Sequence, residues 1–188
     1  DFSFNVGYGW LPKTEGLTGT DKQFDDKLTS GLAWDLAFHH YIKNFGWGIF
    51  YSGYSSDSYY EKTNMDHNVL LSYIAPLFCT KYSFNKKWMI NGEVGVGYLK
   101  FSDKISSGIE KGKTYVSTVG FNYGIGIEYK LNKHMGIGIS FNEIVGSAFL
   151  KNIKMENVHS IIAYNDYDRI NLNRLNLLGG IRFYFGDR

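Results

Sequence analysis

Only one cysteine, Cys79, occurs in 188 residues, so there is no intrachain disulfide framework and no cysteine cluster able to hold a metal. Only two prolines interrupt the chain, which leaves long extended segments unbroken. No apolar run approaches the roughly 20 residues of a membrane helix. Charge of one sign is scarce too: a formal net charge of +2, spread along the chain, forms no basic stripe and argues against nucleic acid as a partner. The first residues lack a basic segment followed by an apolar one, so if the protein is exported this is its mature chain. Nothing in the composition marks a linker, and residues 1–188 read as one domain.

What is abundant is aromatic residues, at 18 %, and 22 glycines, and they are placed with a period of two. In "VGFNYGIGIEY", Val119, Phe121, Tyr123, Ile125, Ile127 and Tyr129 fall on one face of a strand, and Gly120, Asn122, Gly124, Gly126 and Glu128 on the other. After Asn132-Lys133-His134 the pattern resumes with Met135, Ile137, Ile139 and Phe141. The same alternation runs through Phe2–Trp10, Leu32–Phe38, Trp88–Tyr98 and Leu175–Phe185. Two stretches are less regular. Trp47–Ser55 has apolar residues on both faces, and Pro76 interrupts a long strand, where it predicts a bulge or a change of register. Gly92 leaves a gap on the bulky face of its strand.

About eight strands result, a common number for the smallest closed barrels. Short connections at 43–46, 85–87 and 132–134 alternate with long ones near 11–29, 56–66, 102–114 and 146–168. An up-and-down meander then collects the tight turns and both termini at one end. "VHSIIAY", 158–164, reads as extra strand beyond the barrel wall.

Volume decides which face points in. Roughly 40 bulky side chains cannot fit inside an eight-stranded barrel, whose interior is just filled by ordinary side chains. The bulky face therefore points out, over far more area than a soluble monomer exposes. Lipid is the solvent that accepts it. The mean hydropathy of −0.25 does not oppose this, because alternation averages out.

Tyr41, Trp47, Trp88 and Tyr129 lie beside short turns, where an aromatic girdle at a membrane interface belongs, and Phe185 closes the last strand. The ending "LLGGIRFYF" resembles the terminal strand signal of bacterial outer-membrane barrels. The whole pattern resembles the small eight-stranded outer-membrane β-barrel proteins, the group of the OmpA transmembrane domain, OmpX, NspA and the opacity proteins. In that group the aromatic is usually the last residue; here Gly186, Asp187 and Arg188 follow. The resemblance implies an all-β, eight-stranded antiparallel transmembrane barrel in a bacterial outer membrane, monomeric, with periplasmic turns and termini and extracellular loops. It also implies membrane lipids and lipopolysaccharide as surroundings, with no cofactor.

The inward set holds Asp35, His39, Glu93, Glu128 and Arg182, with Lys130 near a turn. Charges in a low-dielectric interior need partners, so these are expected to cross-link the lumen as a polar plug, Arg182 bridging to Glu128 or Glu93. A proton or ion path is the functional alternative. His39 and His40 point to opposite faces and cannot share a metal through one strand. No catalytic set emerges. The His-x-Ser-Asn run of lipid A deacylases is absent, and His159 and Ser160 are adjacent, hence on opposite faces. Asp66-His67 and Asp57-Ser58 offer only an approximation to acyltransferase-like placement. The glycines of "GFNYGIGIEY" alternate in a strand and form no phosphate loop. The expected role is a structural, surface-displayed recognition or adhesion protein acting through four loops. The alternatives are a lipid-modifying enzyme, a carrier of a small hydrophobic ligand with weak points at Pro76 and Gly92, or, among folds, a soluble lipocalin-like barrel.

Overall fold

The computed structural model describes residues 1–11, 29–60, 65–107, 110–149, 154–156 and 169–185. Strands β1 (Phe2–Trp10), β2 (Ser30–Ile42), β3 (Phe45–Tyr60), β4 (Met65–Ser83), β5 (Trp88–Ser107), β6 (Glu110–Lys130) and β7 (Met135–Phe149) follow one another as a meander. The short β8 (Lys154–Glu156) and β9 (Arg169–Asn171) precede β10 (Arg174–Phe183). Every pairing is antiparallel: β1 to β2 and so on to β7, then β7 to β10, and β10 back to β1. Eight strands thus close into a ring, which pairs the backbone groups along the ladders and leaves no open edge. β8 and β9 are three-residue additions to β6 and β7 outside that ring.

The closing seam shows how sequence sets register. Phe2, Phe4, Val6 and Tyr8 of β1 stand opposite Phe183, Ile181, Gly179 and Leu177 of β10, so bulky residues meet bulky residues across the seam, with Gly179 the exception. A slip of one residue would turn Phe4 and Val6 into the interior and Asn5 out to the belt. On the outer wall Val119, Phe121, Ile125, Ile127, Ile137 and Ile139 are exposed, while Asn122, Glu128 and Asn142 are buried. The volume argument and the observed faces agree.

Tight turns join β2 to β3, β4 to β5 and β6 to β7. Asn85 and Asn132 build the latter two, each side-chain oxygen accepting hydrogen bonds from two backbone amides further along its turn. Asp1 and Tyr184 both lie at this end: Asp1 O accepts from His39 N, and Tyr184 N donates to His134 O.

Three expectations are corrected. Two of the long connections are mostly strand: β3 continues to Tyr60 with β4 starting at Met65, and β5 continues to Ser107 with β6 starting at Glu110. Pro76 produces no bulge, because Ile74 pairs with Tyr98 and Leu77 with Gly95 in one unchanged register. Only the ladder at Ala75 and Pro76 is interrupted on that side, where proline has no N–H to give. The interior, finally, is not uniformly polar. Toward the long-connection end it is filled by an apolar cluster that includes Tyr54, Leu71, Tyr73, Leu99, Phe101 and Ile144. Residues 158–164 lie outside the described residues.

Candidate functional site

The strands deliver their inward residues to a lumen that is polar toward the tight turns. Arg182 on β10 donates from Nε to Glu128 Oε1 at 2.8 Å and from Nη1 to Asn5 Oδ1 at 2.5 Å. Glu128 also accepts from Asn91 Nδ2 at 2.8 Å and from the Tyr184 hydroxyl at 3.1 Å. From Asn5 the chain of bonds continues: Asn5 Nδ2 donates to Asp35 Oδ1 at 2.5 Å, Asn142 Nδ2 to Asp35 Oδ2 at 3.2 Å, and Asn176 Nδ2 to Asn142 Oδ1 at 2.6 Å. His39 Nε2 lies 3.3 Å from Glu93 Oε2. All five lumen residues picked out in the sequence therefore point inward, and Arg182 meets Glu128 rather than Glu93.

Glycine makes this crossing possible. A Cβ at Gly138 would stand 3.2 Å from Arg182 Nη2 and 3.3 Å from Glu128 Cγ, and one at Gly180 would clash with Asn5 Oδ1. The small residues are where the charged pair needs width. Within the network a cavity of about 20 Å3 remains, bordered by Ser3, Asp35, His39, Glu93, Phe50 and Arg182. That is room for about one water molecule.

Sequence reasoning missed Arg174, which is 1 % exposed in the other half of the lumen. It donates to Ser52 Oγ at 2.5 Å and lies over the Tyr54 ring at 5.6 Å, while its Nε and Nη1 have no partner among the described residues. The signal was present, since residue 174 shares its parity with Asn176 and Arg182.

The girdle residues divide. Trp47 and Trp88 are exposed on the outer wall, Phe185 is exposed at the rim of the tight-turn mouth, and Tyr129 packs edge to face on Trp88 at 4.9 Å. Tyr41 is a correction. It is buried inside, its ring stacked on His39 at 5.7 Å with Lys81 Nζ 4.4 Å away, because it shares the parity of Asp35 and His39. His40 faces out against Trp47.

The mouth at the tight-turn end is a wide vestibule of about 800 Å3 lined by Lys43, Lys81, Lys86, Lys87, Lys130 and Lys133. Lys81 is held by Asp1 at 2.5 Å. At the opposite end, His67 Nδ1 lies 2.9 Å from Asp103 Oδ2, and Ser58 stands opposite His67 in the ladder. The Ser58 hydroxyl is buried and makes no hydrogen bond among the described residues, so the base-to-nucleophile contact that acyl transfer needs is not formed. Asp57 bonds Asn68 instead. Among the described residues no group of three or more His, Cys, Asp or Glu is arranged to hold a metal.

A closed eight-stranded ring with an apolar outer belt, an aromatic girdle and a charged lumen defines the class: a transmembrane β-barrel. Solved structures of the same fold are similar over nearly the whole chain. Neisserial surface protein A matches with a TM-score of 0.59 at 11 % identity, covering 98 % of this chain and 97 % of that one. A major outer membrane protein from Thermus thermophilus matches at 0.53 and 13 %, covering 97 % and 99 %. Ail, the attachment invasion locus protein of Yersinia pestis, in complex with the heparin analogue sucrose octasulfate, matches at 0.51 and 14 %, covering 96 % and 97 %. No protein-family model and no curated protein sequence matches the chain. The shared fold is that of small outer-membrane β-barrel proteins.

Proposed function

We propose that the protein is a monomeric barrel of a bacterial outer membrane, with its tight turns in the periplasm, that binds an anionic surface ligand and has no enzymatic activity. A filled lumen supports this. The polar network and the apolar cluster lie across the interior, and the cavity within the network is only about 20 Å3, too small for a solute. Function then moves to the outer surface at the long-connection end.

The observation that carries the choice of ligand is a pair of lysines. A tilted strand crosses the hydrocarbon in about 10 residues, so on β5 the belt that starts at Trp88 ends near Tyr98. Beyond it come Lys100 and Lys104, both exposed, and Lys104 stands directly opposite Lys113 of β6. Like charges facing each other across a ladder repel, and Glu156 of β8, opposite Lys113 on its other side, balances only one of the two. The Ail structure, with its bound heparin analogue, shows the kind of compound to try: a densely sulfated sugar.

Isothermal titration of the detergent-solubilised protein with sucrose octasulfate tests the reading. Binding is expected, weakening as salt rises, and Lys104→Gln with Lys113→Gln is expected to reduce it about tenfold or more. Heat release that is absent, or unaltered by the double substitution, overturns it.

A further inference from the structure

The outer wall carries a depression over β5, β6, β7 and β10. It is an apolar groove of about 760 Å3 walled by Trp88, Ile90, Ile125, Ile127, Ile139 and Ile181. The lipid-facing rows that frame it run Trp88, Tyr129, Ile137, Ile181 and then Ile90, Ile127, Ile139. Between their side chains the backbone of Gly126, Gly138 and Gly180 lines a slot.

The slot has a polar end. Toward the tight turns it finishes at the Trp88–Tyr129 pair, and Lys87 Nζ lies 5.7 Å from the Tyr129 ring centroid. The two turns that flank β6 on this side, residues 84–87 and 131–134, contain Lys86, Lys87 and Lys133 and no acidic residue. Lys86, Lys87 and Lys133 are all exposed. An interfacial tryptophan–tyrosine pair marks the headgroup level, and lysines just beyond it reach the phosphates.

Apolar slot, aromatic collar and cations follow one another in the order of an acyl chain, a glycerol ester region and a phosphate. We propose that this wall binds an anionic glycerophospholipid of the leaflet at the tight-turn end, one acyl chain lying in the groove and the phosphate on Lys87 and Lys133. A zwitterionic headgroup adds an ammonium that the same lysines repel, so the site discriminates by net charge. The assignment rests on the membrane-spanning fold and is independent of the surface-ligand reading above.

The test is native mass spectrometry of the full chain released from micelles holding equal amounts of palmitoyl-oleoyl-phosphatidylglycerol and palmitoyl-oleoyl-phosphatidylcholine. Phosphatidylglycerol adducts are expected to exceed phosphatidylcholine adducts by about tenfold. Lys87→Gln with Lys133→Gln brings the ratio toward one, and Lys43→Gln, on the turn between β2 and β3 away from the groove, leaves it unchanged. Equal retention of the two lipids by the unaltered protein, or a ratio that the lysine pair does not move or that Lys43→Gln moves as much, overturns the proposal.

Discussion

Arg182→Ala is expected to destabilise the barrel by about 3–5 kcal/mol, because removing one partner leaves the other charge buried and uncompensated. Glu128 would keep Asn91 and Tyr184 as donors but lose its ion-pair partner, at 2.8 Å. Asn5 would lose the guanidinium that its oxygen now accepts from, loosening its own hold on Asp35. Replacing both members of the pair, as Arg182→Met with Glu128→Leu, is expected to return most of the loss, since a buried pair exchanged for apolar groups of similar volume is often neutral. Urea titration of folding in lipid vesicles, followed by tryptophan fluorescence, measures both. A single-substitution cost below about 1 kcal/mol, the range of exposed ion pairs, would show that the pair is solvated rather than buried.

The second large effect lies on the outer wall. Ile139→Arg places a guanidinium in the middle of the belt, where Ile139 is 63 % exposed. On a lipid-facing strand this costs about 2–4 kcal/mol at the bilayer midplane and about 0–1 kcal/mol near the interface. Ile42 is equally exposed, at 65 %, but stands beside the first tight turn, so Ile42→Arg is expected to fall in the lower range. A barrel folded in water would tolerate both, since surface substitutions there mostly stay within about 0.5 kcal/mol. The difference between the two variants in the same vesicle titration therefore reports depth, not simple exposure.

How much of this was legible in the sequence depends on where along the strand one looks. In the belt, solvent differs on the two faces, and the pattern of Val119–Tyr129 states the orientation of β6 residue by residue. Above the belt both faces of the wall meet polar surroundings. Ser56, Asp57, Ser58 and Tyr59 still alternate in and out, yet hydropathy no longer distinguishes the sides, so the sequence of this strand looks like a loop. Inside the apolar half of the lumen the converse holds: Phe50 and Tyr54 point in while Ile49 and Tyr51 point out, and both faces are bulky. Alternation vanishes because both environments are apolar.

The site residues follow the same logic. Asp35, His39, Glu93, Glu128 and Arg182 stood out because each breaks a row of small residues opposite a greasy face. Tyr41 was misplaced by its position beside a turn, although its parity with His39 was the better guide. Arg174 escapes the pattern because the legible alternation begins only at Leu175, one residue later. Which lumen charges pair was out of reach, since the meeting of Arg182 with Glu128, 54 positions apart, is set by barrel shear rather than by local spacing.

The orientation of every strand in this barrel requires the bulky face to be bathed in hydrocarbon. Replacing Cys79 with serine and placing a nitroxide in turn at positions 137, 139 and 141 of β7 tests this in lipid vesicles, by comparing its collisions with molecular oxygen and with a water-soluble nickel chelate. Oxygen collisions should dominate at all three positions and peak toward the bilayer centre. Nickel collisions that dominate there would put water against the belt and contradict the account.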